Sequence, residues 1–207
     1  MRVLIGCARS GVMARAFRAH GWEAWECDLL PTRDTENAQW HLTGDVLWFA
    51  ENHYPFDLFI CHPECRYLSV SGLHWNTRRP ERAQETEKAI QFFIQCACLA
   101  IRHKVLENPV GIMSTRWRKP DQIVQPYQFG DDASKATCLW LENMPKLVAD
   151  PAQRVPGRIV NGRERWANQT DSGQNRLGPS DTRSEQRAQT YPGIARAMAE
   201  QYTEAFV

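Results

Sequence analysis

The stretch RVLIGCARSGVMARAFRAHG, residues 2–21, decides the fold. RVLIG reads as a short buried strand, since Val3, Leu4 and Ile5 form a continuous apolar run closed by glycine. SGVMARAFRAHG then reads as a helix, with Ser10 as N-cap, Gly21 as stop, and Val12, Ala16 and Ala19 as one small apolar face. Between them lies GCARSG, a glycine loop where a strand feeds a helix. Such a loop lets the backbone approach a ligand and aims amide groups at it. It is no Walker loop: Val12 and Met13 stand where Lys and Ser/Thr belong, and G-x-G-x-x-G is missing, which argues against a phosphate. A tight turn with no ligand would use the same residues.

Working outward, EAWECDLLP (23–31) reads as a second strand ended by Asp28 and Pro31. Polar residues 32–45 lead to a Gly44-Asp45 turn, VLWFAENH forms a short helix, and DLFICHP (57–63) is the next strand. Between Pro80 and His103 the spacing of Ile90, Phe93, Ile94, Ala97 and Ile101, with proline at the first helical position, predicts a long helix. KVLENP (104–109) and TCLWLEN (137–143) are later strands. Residues 144–190, rich in Pro, Gly, Asn, Gln and Arg, read as mostly irregular, and GIARAMAEQYTEAF closes as a helix packing through Ile194, Met198 and Tyr202. Strands alternating with helices predict an open α/β sheet, whose ligands sit beyond the carboxyl ends of the strands.

The 207 residues, 43% hydrophobic and 24% charged, suffice for one domain with at most a small appendage. Lys and Arg number 25 against 24 Asp and Glu, so no strong overall field exists and a nucleic-acid surface would have to be a local patch. The seven cysteines are an odd number, and Cys7, Cys27, Cys61, Cys96 and Cys98 lie in apolar contexts, which predicts a reduced, cytoplasmic location. The apolar run at the N-terminus is too short for a signal peptide, and no stretch suits a membrane span.

Three groups could carry chemistry. In DLFICHPECRYLSVSG (57–72), the Pro63-Glu64 turn exposes Cys65 beyond a buried strand, and Arg66 beside it could lower its pKa. Zinc ligation with Cys61 and His62, or an inert packed thiol, are the alternatives. Glu107 follows the buried run VL, where desolvation should raise its pKa and suit it to hold a proton, although most single glutamates only cap or pair. Asp28 stands where a carboxylate accepts from ribose hydroxyls, or merely caps a turn. Arginines in MSTRWRKP and at Arg154, Arg158, Arg163 and Arg165, interleaved with Trp117 and Trp166, suit phosphates and bases or a solvated charged face equally.

The order of these pieces resembles the cytosine-5 DNA methyltransferases, most of all small phage and prophage proteins of that type. HPEC resembles the family's Pro-Pro-Cys loop, ENP its Glu-Asn-Val, QFGDDASKATCLWL its later strand, and TYPGIARAMA its C-terminal helix. The resemblance implies a Rossmann-like S-adenosylmethionine-dependent methyltransferase fold with a mostly parallel sheet and an irregular C-terminal region. Residues 1–143 would be the catalytic domain, 144–189 an insert contacting substrate, and 190–207 a helix packing back. Cys65 would be the nucleophile, assisted by Glu107 and Arg66. Gly6, Ser10, Gly11, Asp28 and Asp45 would hold S-adenosylmethionine. Ser69, Ser71, Asn108, Arg116, Arg118 and Lys135 would contact the substrate, with no metal involved.

The implied activity is methyl transfer to carbon 5 of cytosine in duplex or single-stranded DNA through a cysteine adduct, as in phage DNA modification. A free cytidine nucleotide (dCMP), or another carbon-5 modification, is the alternative substrate reading, and a non-catalytic protein sequestering a nucleotide or cofactor is the third. The chain departs from the family in having Arg66 after the cysteine, Glu64 for the second proline and only Lys135 for a paired basic motif. The span from 144 to 189 is too short for a separate target-recognition domain, implying low sequence specificity or a substrate smaller than a duplex.

Overall fold

The computed structural model describes residues 1–207 except Tyr54, Pro179, residues 181–187 and Val207; part of the expected 144–189 insert therefore lies outside the described residues. A sheet of seven strands forms the centre. In chain order these are β1 (Arg2–Gly6), β2 (Glu23–Asp28), β3 (His41–Thr43), β4 (Leu58–Cys61), β5 (His103–Pro109), β6 (Gln122–Val124) and β7 (Thr137–Glu142). Their spatial order is β3-β2-β1-β4-β5-β7-β6, parallel throughout except for β7, which runs against β5 and β6. This is the open, mostly parallel, Rossmann-like α/β sheet expected from the sequence.

Parallel strands need cover on both faces, and strict alternation supplies it. Val3, Ile5, Leu58, Ile60 and Val105 face one side, packing with Met13 and Phe17 of α1 (Val12–Ala19) and Ile194, Met198 and Tyr202 of the C-terminal helix (Pro192–Ala205). Leu4, Phe59, Leu106 and Trp140 face the other, against Ile90 and Phe93 of the long helix Pro80–Cys98. Register then aligns the functional ends: Gly6 pairs with both Cys27 and Cys61, and Cys61 with Leu106, so Glu107 sits one residue beyond the end of β4. Because β7 is reversed, Thr137 pairs with Pro109, and the residues just before β7 arrive at the same edge.

Several boundaries differ from the sequence reading. Gly11, not Ser10, takes the N-cap position of α1, with φ 74°, and the buried face of the helix is Met13, Ala14 and Phe17, leaving Ala19 exposed. The long helix ends at Cys98, because Leu99 turns out with ψ 142° and its carbonyl accepts from the buried Lys104 Nζ at 2.6 Å. Cys98 is exposed rather than packed. Within the expected irregular stretch, β8 (Arg158–Val160) and β9 (Arg163–Arg165) form a hairpin, closed by Asn161 and Gly162 at φ 48° and 71°. Two positive φ values are what a two-residue hairpin turn needs.

The C-terminal helix docks closely enough to be tested. A Cβ on Gly193 would lie 2.0 Å from the Phe129 carbonyl oxygen and 2.7 Å from Asp131 Oδ2, whose carboxylate also accepts from the Gly193 amide. Gly193→Ala is expected to destabilise the protein by about 1–3 kcal/mol in urea denaturation; an unchanged midpoint would show the docking to be looser than described.

Candidate active site

Beyond β4 the chain makes a turn headed by Cys65, whose carbonyl accepts from the Leu68 and Ser69 amides at 3.1 and 2.9 Å. The Cys65 residue is half-buried. Both limbs of this loop are fastened to the end of β5. On the entering limb, Asn108 Nδ2 donates to the Pro63 carbonyl at 2.6 Å. On the leaving limb, Val70 N donates to Val110 O and Ile112 N to Leu68 O, at 3.2 and 2.8 Å. Gly111 permits that approach, for a Cβ there would stand 2.1 Å from the Leu68 carbonyl oxygen. Asn108, expected to contact substrate, is only 2% exposed and instead positions the cysteine loop.

Glu107 faces His62, which follows β4. His62 Nδ1 lies 2.7 Å from Glu107 Oε2, and the two side chains are only 14% and 17% exposed. Burial pushes the Glu107 carboxyl up, but the His62 hydrogen bond and the charges of Lys135 and His62 outweigh it and hold the group below the usual glutamate range. The expectation of a raised pKa is thus corrected: desolvation acts, but a register-matched histidine and Lys135 oppose it. The Lys135 ammonium also sits 5.8 Å from the Tyr191 ring centroid. His62, Glu107, Lys135, Thr137 and Tyr191 line a cavity of about 20 Å³, with Met13 and the C-terminal helix as its apolar wall.

The glycine loop is held from below by Glu26, a residue the sequence reading passed over. Both carboxylate oxygens of Glu26 lie 3.0 Å from the Gly11 amide, and the residue is 3% exposed. Burial raises its pKa, offset in part by that amide and by the charges of His62 and Arg18. Ala8 N bonds Cys27 O at 3.1 Å and Ser10 Oγ accepts from Val12 N at 3.4 Å, so the loop's polarity is turned partly inward. At Gly6 a Cβ would meet Val46 Cγ2 at 2.6 Å, so packing already requires glycine there. Asp28 Oδ1 accepts from Leu30 N at 2.9 Å, and the adjoining Leu29 and Leu30 are 76% and 51% exposed. Asp45 caps the helix Val46–Asn52 through Leu47 N at 2.8 Å.

The remaining expected residues are distributed differently. Lys135 lines the same cavity as Glu107 and acts on it through its charge, whereas Arg116 pairs with Glu87 and Arg118 with Asp121 and the Leu141 carbonyl, so both arginines are engaged elsewhere. Ser69 and Ser71 share a hydrogen bond at 3.1 Å. Arg66 is exposed and lies over the Tyr67 ring. Arg154 and Arg158 pair with Glu164 and Asp171, and buried Trp166 stacks on Tyr127 at 3.9 Å, which answers for most of the downstream arginine-tryptophan pattern structurally. Among the described residues no group of three or more His, Cys, Asp or Glu could hold a metal ion, so Cys61, His62 and Cys65 are not gathered as ligands.

A basic-aromatic surface adjoins the cysteine loop instead. Arg78 and Arg79 lie over the face of exposed Trp75 at 5.7 and 5.1 Å, and Arg66 and Arg82 over Tyr67. None of the four guanidinium groups has a carboxylate ion-pair partner among the described residues. The signal was present as HWNTRRPER, residues 74–82.

No protein-family model and no curated protein matches the chain. Among solved structures it is similar to one named as a DNA modification methyltransferase encoded within an E. coli prophage, at TM-score 0.46 and 15% identity, over 73% of this chain and 49% of that one. It is also similar to the S. pombe Dnmt2 methyltransferase, at TM-score 0.44 and 14% identity, over 70% and 52%. The chain thus spans about half the length of these two proteins. The fold itself rests on the strand order above. Among the described residues no helix is long and apolar enough to cross a membrane.

Glu26 and Glu107 should affect stability in opposite senses. Glu26 has a raised folded pKa, so its stabilising share is complete in acid and is lost as pH rises through that pKa. Glu107 has a lowered one, so its share is present above the ordinary glutamate range and is lost as pH falls through the folded pKa. Denaturation from pH 3 to 8 should show Glu26→Gln gaining on the parent as pH rises and Glu107→Gln losing on it; parallel curves for all three proteins would refute both assignments.

Proposed function

We propose that the chain transfers a methyl group from S-adenosylmethionine to carbon 5 of cytosine in DNA, through a covalent adduct at Cys65. The observation carrying this reading is the two-sided attachment of the Cys65 loop to the strand end that bears Glu107. A pyrimidine carbon 5 is a poor nucleophile until a thiolate adds at carbon 6, and that addition is eased when a carboxyl group engages nitrogen 3 and the exocyclic amine. In this reading Cys65 supplies the sulfur and Glu107 grips the ring edge, with Lys135 steadying its charge. The target base in a duplex would have to be flipped out of the stack to reach them.

S-Adenosylmethionine, when bound, supplies an electrophilic methyl group on a sulfonium. The residues present suit it: Asp28 offers a carboxylate beside the exposed apolar surface of Leu29 and Leu30, at the carboxyl end of the second strand. Asp45 and the Gly6–Gly11 loop, braced by Glu26, complete the set that would hold it. Polymeric DNA is favoured over a free nucleotide by the Arg66, Arg78, Arg79 and Arg82 surface. Guanidinium groups lying over aromatic rings, without carboxylate ion-pair partners among the described residues, suit a phosphate backbone and stacked bases, neither of which a single nucleotide extends far enough to use.

Labelled methyl transfer to duplex and single-stranded oligonucleotides and to dCMP tests this. Activity on DNA should fall to background in Cys65→Ala. The triple variant Trp75→Ala, Arg78→Ala, Arg79→Ala should raise KM for DNA about tenfold and reduce its salt dependence. Turnover of dCMP alone would select the free nucleotide, and no transfer to any of the three by intact protein would favour a sequestering role; either result would reject the proposal.

A further inference from the structure

We propose that His62 is the positioning residue and proton partner of Glu107, holding on its imidazole the proton that the carboxyl passes to ring nitrogen 3 as the Cys65 sulfur adds to carbon 6. The inference rests on the reading of Glu107 just given and adds a group that the sequence resemblance does not assign. Nitrogen 3 of cytosine is an acceptor and needs a proton when sulfur adds. Glu107, held ionised, has none of its own to give. The proton has to come from a neighbour in contact with it.

The groups facing the pair leave one donor. Cys138 on β7 has its thiol pushed up to about 11 by burial and then by Glu107, and Tyr191, before the C-terminal helix, is also raised, chiefly by burial. Lys135, before β7, acts on Glu107 through its charge. Glu26 on β2 interacts with His62 through charge and is itself an acceptor for Gly11. His62 alone combines a 2.7 Å bond to the carboxylate with a ring that exchanges protons near neutral pH as a class. Its Nε2 is buried without a hydrogen-bond partner among the described residues, and the ring lines the cavity of about 20 Å³, large enough for one water to renew the proton.

A thiolate electron pair forms the bond from sulfur to carbon 6; the π pair between carbons 5 and 6 moves between carbons 4 and 5, and the pair between carbon 4 and nitrogen 3 moves onto nitrogen 3. Nδ1 of the imidazolium gives its proton to the Glu107 carboxylate, which passes a proton on to nitrogen 3, leaving a neutral ring and the carboxylate ionised as before. Carbon 5 then attacks the sulfonium methyl. When carbon 5 loses its proton to solvent and sulfur departs with the bonding pair, nitrogen 3 returns its proton along the same route.

His62→Gln keeps a donor toward Glu107 but cannot store a proton. Single-turnover methyl transfer by this variant should be at least about tenfold slower, with KM for DNA within about twofold of the parent and the alkaline decline of the rate abolished. A parental rate, or an alkaline decline at the parental midpoint, would overturn the proposal. In the free protein, a carbon-13 NMR titration of Glu107 should show its pKa rising in His62→Phe, where burial is no longer opposed by the imidazole. An unmoved titration would overturn the coupling whatever the activity. A moved titration in a protein that methylates no cytosine would instead overturn the reading of function and leave the coupling intact.

Discussion

The site depends on how closely the loop after β4 is drawn onto the end of β5. The Asn108 amide holds the Pro63 carbonyl at 2.6 Å, and the Gly111 backbone comes so near the Leu68 carbonyl that no side chain fits between them. These contacts join neighbouring parallel strands whose register pairs Cys61 with Leu106. A slip of one residue would reverse every side chain across the sheet, exchanging Glu107 with the buried face of Leu106. Register, the tight glycine contact and the buried asparagine therefore form one constraint, and the position of Cys65 relative to Glu107 follows from it.

Within that frame two largely desolvated glutamates behave oppositely. Glu26 receives one backbone amide and the lesser charge effects of His62 and Arg18, so desolvation prevails and its pKa rises. Glu107 receives an imidazole at 2.7 Å and the field of Lys135, so the same desolvation is overcome. Two carboxyls on one site, separated by their partners, take different tasks. Glu26 braces the glycine loop from beneath, and Glu107 faces the cavity. His62 lies between them electrostatically, linking the edge proposed for the methyl donor with the edge proposed for the base.

Much of the frame was legible because apolar periodicity records it. β1, β2, β4, β5, β7 and both long helices are near their expected places, and Ile194, Met198 and Tyr202 are buried as their spacing requires. β3 and β6, at three residues each, are too short to show a period. The hairpin at residues 158–165 carried an Asn-Gly signal, concealed in a stretch rich in other turn residues. The site was legible in residue types but less so in roles. Asn108 is a loop anchor because it is buried, Arg116 is engaged because tertiary packing brings Glu87 to it, and Arg118 pairs with Asp121 three residues further along the chain. The direction of the Glu107 shift depends on His62, forty-five residues away in the chain, and no local pattern contains that pairing.

In the proposed reaction the Cys65 sulfur and the Glu107 carboxyl meet on one pyrimidine ring. Incubating the protein with S-adenosylmethionine and an oligonucleotide carrying 5-fluorocytosine tests it most directly, since fluorine in place of the departing proton blocks release of the sulfur. Intact-mass analysis and peptide mapping should find a stable protein-DNA adduct on Cys65, with adduct formation strongly reduced in Glu107→Gln. An adduct on another cysteine, or none on any fluorinated strand while unmodified DNA is methylated, would contradict it.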